Sequence, residues 1–164
     1  VPSFENALRR INDLKAARII DDYAIAGAMA LVFWIEPIPT FDLDVLVLLP
    51  ESDGPLVSLD AIYRWAAERS YPVEHEHIII IEGVPVQFLP ANGALGHEAI
   101  RTAVARRYED VDIAVVRPEY LIALFLLPSA RTMKRRERAA ALRESDAVDR
   151  DLLDDVMNRF KLTF

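Results

Sequence analysis

Apolar segments recur along this chain at strand or helix length, and none is longer. The longest apolar run covers 13 positions, residues 23–35, whereas a membrane span needs about 20, so a buried segment and no membrane partner are expected. The periods then sort the segments. Residues 4–19 place Phe4, Leu8, Ile11 and Leu14, with Ala17 or Ile19, near helical spacing, and Asp21-Asp22 breaks that helix. Residues 23–26 read as a short strand, Gly27 as a turn, and 28–35 as an apolar helix that Glu36-Pro37-Ile38-Pro39 must stop. Residues 41–49 form a strand ended by Pro50, and Ser52-Asp53-Gly54-Pro55 a loop. A helix is expected over 58–70, then strands over 75–81 and 84–89 joined by the tight Glu82-Gly83 turn. Next come a helix over 98–107, a strand over 111–116, and a helix over 118–127 opened by Pro118. Two helices over 131–160, broken near Glu144-Ser145-Asp146, close the chain. This order describes an α+β domain, a mixed sheet flanked by helices.

At 164 residues there is room for one domain, with a core sheet region over 20–117 and a helical part over 118–164. Twenty-six acidic against 19 basic residues leave a net charge of −7, which argues against a general nucleic-acid binder while leaving a local basic patch open. Hydrophobic residues make up 52%, which excludes disorder. The absence of cysteine removes disulfides, thiol catalysis and cysteine zinc sites. No basic stretch followed by an apolar one opens the chain, so no secretion signal is expected and a cytoplasmic location is.

The most informative stretch is Phe41-Asp42-Leu43-Asp44-Val45-Leu46. Residues two apart on a strand share a face, so Asp42 and Asp44 are expected side by side, Cα atoms about 7 Å apart. Two like charges on an apolar strand repel each other and lose solvation. A divalent cation such as Mg²⁺ removes both penalties, because it takes carboxylate oxygens and needs few protein ligands. The plainer reading is that both acids stand at the wet end of the strand. Upstream, Ala26-Gly27-Ala28 lies between a strand and a helix, 15 residues before Asp42. Glycine there admits close approach of backbone to a ligand, and a helix start offers unpaired N–H groups to phosphate. A phosphate cradle beside a metal site is the combined expectation.

Together these features resemble the polymerase-beta-like nucleotidyltransferase superfamily, whose signature is a Gly-Gly or Gly-Ser pair followed by Asp-x-Asp. The stretches Pro85-Val86-Gln87-Phe88-Leu89-Pro90, Arg117-Pro118-Glu119-Tyr120-Leu121 and Ala147-Val148-Asp149-Arg150-Asp151-Leu152-Leu153 are similar to small bacterial members grouped with AbiEii-type abortive-infection toxins. The resemblance implies a nucleotidyltransferase fold and in-line attack of an acceptor hydroxyl on the α-phosphate of a nucleoside triphosphate. Asp42 and Asp44 would hold Mg²⁺ or Mn²⁺, Gly27 and Ala28 would cradle phosphates, and Arg131 or Lys134 would reach the triphosphate or an RNA acceptor. The acceptor itself (RNA, protein or small molecule) stays open, as does a toxin role with a cognate antitoxin. The chain also departs from the pattern. The glycine pair reads Gly27-Ala28, and Gln87 stands where a third carboxylate usually activates the acceptor. Phe125 replaces a lysine of many relatives, and a Lys-Asp pair reads Lys134-Arg135. Those losses support an alternative: a catalytically degenerate relative acting as a nucleotide-binding or protein-interaction module.

Other residues weigh less. His75 and His77 alternate and could pair as ligands, or lie exposed on an edge strand; His97 reads as a surface helix residue. Neither a Gly-x-Ser-x-Gly elbow nor a Walker-type loop is present. Arg131, Lys134, Arg135, Arg136, Arg138 and Arg143 make a basic helix, followed by an acidic stretch that could pair with it. Trp34 and Trp65 are expected in the core.

Overall fold

The computed structural model describes residues 1–35, 40–51, 58–75 and 77–164. The expected stop over 36–39 and loop over 52–55 lie outside these residues. Among the described residues seven strands form one sheet: β1 (Asp22–Ala26), β2 (Leu43–Leu48), β3 (Val73–Glu74), β4 (Ile78–Ile81), β5 (Val84–Pro90), β6 (Val104–Tyr108) and β7 (Val111–Val115). Their order is β3-β4-β5-β2-β1-β7-β6. The helices are α1 (Phe4–Ala16), α2 (Gly27–Leu31), α3 (Asp60–Glu68), α4 (Ala94–Arg101), α5 (Pro118–Phe125), α6 (Met133–Arg143) and α7 (Arg150–Arg159). The result is the α+β mixed sheet with flanking helices that the segment order predicts.

β1 and β2 pair antiparallel at the centre, and each gains a parallel neighbour, β7 and β5 respectively. Leu43, Val45 and Val47 point to one face and are fully buried, as is Ile25 of β1. That face is covered in part by α1, whose Asn12 accepts a 2.7 Å hydrogen bond from the Tyr23 hydroxyl. The opposite face carries Ala24, Ala26, Asp44 and Leu46 and lies under α4 and α5. The β4–β5 hairpin turns at Glu82 (φ +51°) and Gly83 (φ +79°), two left-handed residues that match a type I′ turn and the twist of the flanking strands.

Three sequence readings are corrected. The helix expected over 98–107 is α4, which ends at Arg101, and Val104–Tyr108 is the edge strand β6. Its three central residues are exposed, so no alternating apolar pattern marked it. The strand expected from His75 begins at Ile78, and both His75 (φ +49°) and His77 lie in the turn that precedes it. The apolar helix expected over 28–35 is the five-residue α2, followed by turns. Of the two tryptophans, Trp65 is buried, while Trp34 is half-buried and donates to the Val116 carbonyl at 2.9 Å beneath the Arg106 guanidinium.

The C-terminal helices are tied down by polar contacts. Glu119 is completely buried; its Oε1 accepts from Arg117 Nε at 2.9 Å and its Oε2 from the Asp149 backbone N–H at 3.1 Å. One carboxylate therefore joins the start of α5 to the N-cap of α7. Arg159 on α7 grips Glu98 on α4 through both oxygens, at 2.9 and 3.0 Å. Glu119→Ala strands two donors, and removing one member of a buried pair is costly. We expect a loss of roughly 2–4 kcal/mol in urea unfolding; a loss within about 0.5 kcal/mol, the size of a neutral surface change, would contradict this account of how α7 is held.

Candidate functional site

The register of the central strands builds the site. Ala26 lies opposite Asp44 and Asp44 opposite Gln87, and paired residues share a face. Ala26, Asp44 and Gln87 thus form a row across β1, β2 and β5. Gly27 follows Ala26 at the junction of β1 and α2, with φ +61°. A Cβ on Gly27 would collide with Asp44 Oδ2 and stand 2.9 Å from its Cγ. Glycine is needed here twice, for its backbone conformation and for the space above it.

Asp44 is half-buried, while Asp42, just before β2, is exposed. Burial pushes the Asp44 carboxyl above its ordinary value; the Arg135 guanidinium pulls the other way, the Asp42 charge pushes it further up, and Arg138 opposes. The two aspartates feel each other, and two α6 arginines stand near enough to compensate. Arg135 is half-buried and, among the described residues, its guanidinium makes no ion pair or side-chain hydrogen bond. Arg135, Asp44 and Gly27 line one end of a cavity of about 410 Å³, the rest of which runs between the sheet and α4 and α5.

The other candidates fall into two groups. Ala28 follows Gly27 in the first turn of α2 and is half-buried, and Gln87 is half-buried beside Asp44 on β5. Phe125 is buried in the cavity wall. Arg131, in contrast, donates to the Thr163 carbonyl at 3.0 Å and lines a separate cavity with Met133, Arg136 and Phe164. Lys134 is exposed. His97 is exposed, its ring nitrogen 3.1 Å from the Ala91 carbonyl oxygen. Sequence reasoning met Arg135 only as a departure from a Lys-Asp pair and, with Arg138, as a member of a basic helix, and gave neither a role at the site. The signal was there: with Ala139 and Leu142, which are buried, they form the 135-138-139-142 stripe that marks the inward side of a helix.

Among the described residues no group of three or more His, Cys, Asp or Glu side chains gathers as a metal site. A pair of carboxylates is nonetheless a sufficient protein contribution for Mg²⁺, which keeps waters and takes substrate phosphate oxygens for its remaining ligands. A desolvated Asp44 pushed by the Asp42 charge fits that role, since a cation relieves both stresses.

No protein-family model matches this sequence, and no curated protein matches it. Solved structures do. The antibiotic-resistance factor ANT(2'')-Ia superimposes with a TM-score of 0.56 over 94% of this chain and 89% of its own, at 13% identity. An antigenic nucleotidyltransferase-like protein from Paracoccidioides brasiliensis gives 0.53 over 96% and 90%, also at 13% identity. The architecture is the nucleotidyltransferase fold, with α6 and α7 as its helical C-terminal part. Among the described residues no helix is long and apolar enough to cross a membrane.

Proposed function

We propose that this chain is a nucleotidyltransferase, moving a nucleoside monophosphate from a nucleoside triphosphate to an acceptor hydroxyl. The observation that carries the reading is the seating of Asp44 on the bare Cα of Gly27, at the end of a cavity that Arg135 also lines. Asp42 and Asp44 would hold Mg²⁺ or Mn²⁺, which supplies phosphate positioning and charge neutralisation when bound. Gly27 and Ala28 lie where backbone can approach the phosphates, and the Arg135 fork suits phosphate oxygens. Arg131, which lines a separate cavity, and Lys134, which is exposed, do not line this one and would serve only an acceptor outside it. The acceptor oxygen bonds to the α-phosphorus, the bond to the bridging oxygen breaks, and pyrophosphate leaves. Catalysis of this kind is mostly positioning and electrostatics. A nucleoside triphosphate with Mg²⁺ is expected to raise the melting temperature by ligand linkage. Asp42→Asn together with Asp44→Asn is expected to abolish that rise, and an unchanged rise would put the nucleotide elsewhere.

One position favours a second reading, a nucleotide-binding module without turnover. The side chain opposite Asp44 on β5 is an amide, which can orient a hydroxyl but cannot take its proton. General-base help is worth about 10²–10⁴-fold. Gln87→Glu is therefore expected to raise incorporation of labelled nucleotide by about 10²-fold or more and to tighten Mg²⁺ binding. It should also lower the metal-free melting temperature, because a further carboxylate joins Asp44. Undetectable incorporation in both folded proteins would favour the binding module. A toxin role with a cognate antitoxin rests on the family resemblance. Growth arrest on expression, absent for Asp44→Asn and relieved by a neighbouring gene product, is its expected signature, and growth unaffected by expression would oppose it.

A further inference from the structure

The cavity beyond Asp44 has a lopsided chemistry. Among the described residues that line it, only Asp44 and Arg135 are ionisable, and both stand at the Gly27 end. The remaining wall is apolar, with Leu46 and Leu89 on the sheet side and Leu95, Leu121, Leu124 and Phe125 on α4 and α5. Its neutral polar side chains are Asn92 and Ser129, both exposed at the rim and both without a side-chain hydrogen bond among the described residues. An amide and a hydroxyl can each donate or accept, and neither is pinned, so they impose no fixed pattern on a ligand edge. With phosphates at Arg135 and Gly27, a flat uncharged group suits the rest of a space of about 410 Å³.

We propose that the apolar wall of Leu95, Leu121, Leu124 and Phe125 holds the nucleobase by contact alone, so that this chain accepts nucleoside triphosphates with little regard to the base. The inference rests on the nucleotidyltransferase reading and adds a specificity to it. Strong discrimination, 10⁴-fold or more, arises when buried, fixed polar groups are left unpaired by the wrong ligand. Among the described side chains this wall has none to leave unpaired. Apolar burial does separate ligands that carry a base from those that lack one.

The test is calorimetric titration of the Mg²⁺-loaded protein with ATP, GTP, CTP, UTP and inorganic tripolyphosphate. The four nucleotides are expected to fall within about tenfold of one another, and each to bind at least about tenfold tighter than tripolyphosphate. Leu124→Trp and Ala130→Phe fill the cavity from half-buried positions. Both are expected to erase the nucleotide margin while leaving tripolyphosphate binding unchanged. A preference for one base above about 100-fold would overturn the proposal, because it requires fixed hydrogen-bond readout. Tripolyphosphate binding as tightly as the nucleotides would overturn it too, by placing the base outside the cavity, while leaving the transferase reading intact. If no phosphate compound binds with Mg²⁺, the transferase reading itself fails. The wild-type comparison stands even if a filled variant does not fold.

Discussion

Replacing Gly27 by alanine should damage stability and nucleotide binding together. The backbone there sits at φ +61°, where a Cβ costs roughly 1–2 kcal/mol. The added methyl also meets the Asp44 carboxylate, which cannot retreat easily because its strand is paired on both sides. Overpacking of this kind adds about 1–3 kcal/mol, so the sum is about 2–5 kcal/mol and a Tm lowered by roughly 4–20 °C. Gly93→Ala is the control for backbone strain without a clash: Gly93 has φ +101° and ψ 180°, a region open almost to glycine alone, but a Cβ there has nothing within 4 Å. It should show the backbone penalty alone and keep the nucleotide-induced rise in Tm. The account fails if Gly27→Ala melts within about 1 °C of wild type and still gains stability from a nucleoside triphosphate with Mg²⁺.

Asp44→Asn should do the opposite to the metal-free protein. Burial holds the Asp44 carboxyl above its ordinary value in the folded chain. Between the unfolded and folded values the folded chain binds more protons, so stability falls as pH rises through the window just above 3.8. At neutral pH the full penalty of the buried charge is present. Asparagine carries no such penalty, and relief of a functional strain is typically worth about 1 kcal/mol, roughly 2–4 °C at this chain length. The variant should melt higher than wild type at neutral pH, converge with it on acidification, and gain nothing from Mg²⁺ and nucleotide. Thermal scans across a pH series would reveal this convergence; a variant that melts lower than wild type at neutral pH would show that Asp44 is structural.

How much of this was legible follows from where each signal lives. Strand β2 and Gly27 were readable because their oddity is local, two acids in an apolar run and a glycine between a strand and a helix. The row of Ala26, Asp44 and Gln87 depends on strand pairing, and Gln87 entered the sequence reading through the family pattern rather than through register. β6 was hidden because an edge strand with Arg106 and Arg107 outward lacks the alternation of a half-buried one. Arg135 was hidden for a different reason. Charge type alone does not separate Arg135 from Arg131 and Lys134, whereas the phase of α6, set by Ala139 and Leu142, turns Arg135 inward.

The alternation along β2 also bears on how the sheet assembles. Leu43, Val45 and Val47 fill one layer with no exposure, and Asp44 stands on the opposite face. A slip of one residue against β1 or β5 would exchange the two sets. Asp44 would then enter a layer packed with Tyr23 and Ile25, where an unpaired carboxylate is penalised by several kcal/mol. The acid therefore penalises every odd-numbered misalignment of β2, a check that the native register passes. An asparagine at this position would relax that check, so the variant that melts higher should also refold with more misaligned, aggregation-prone chains.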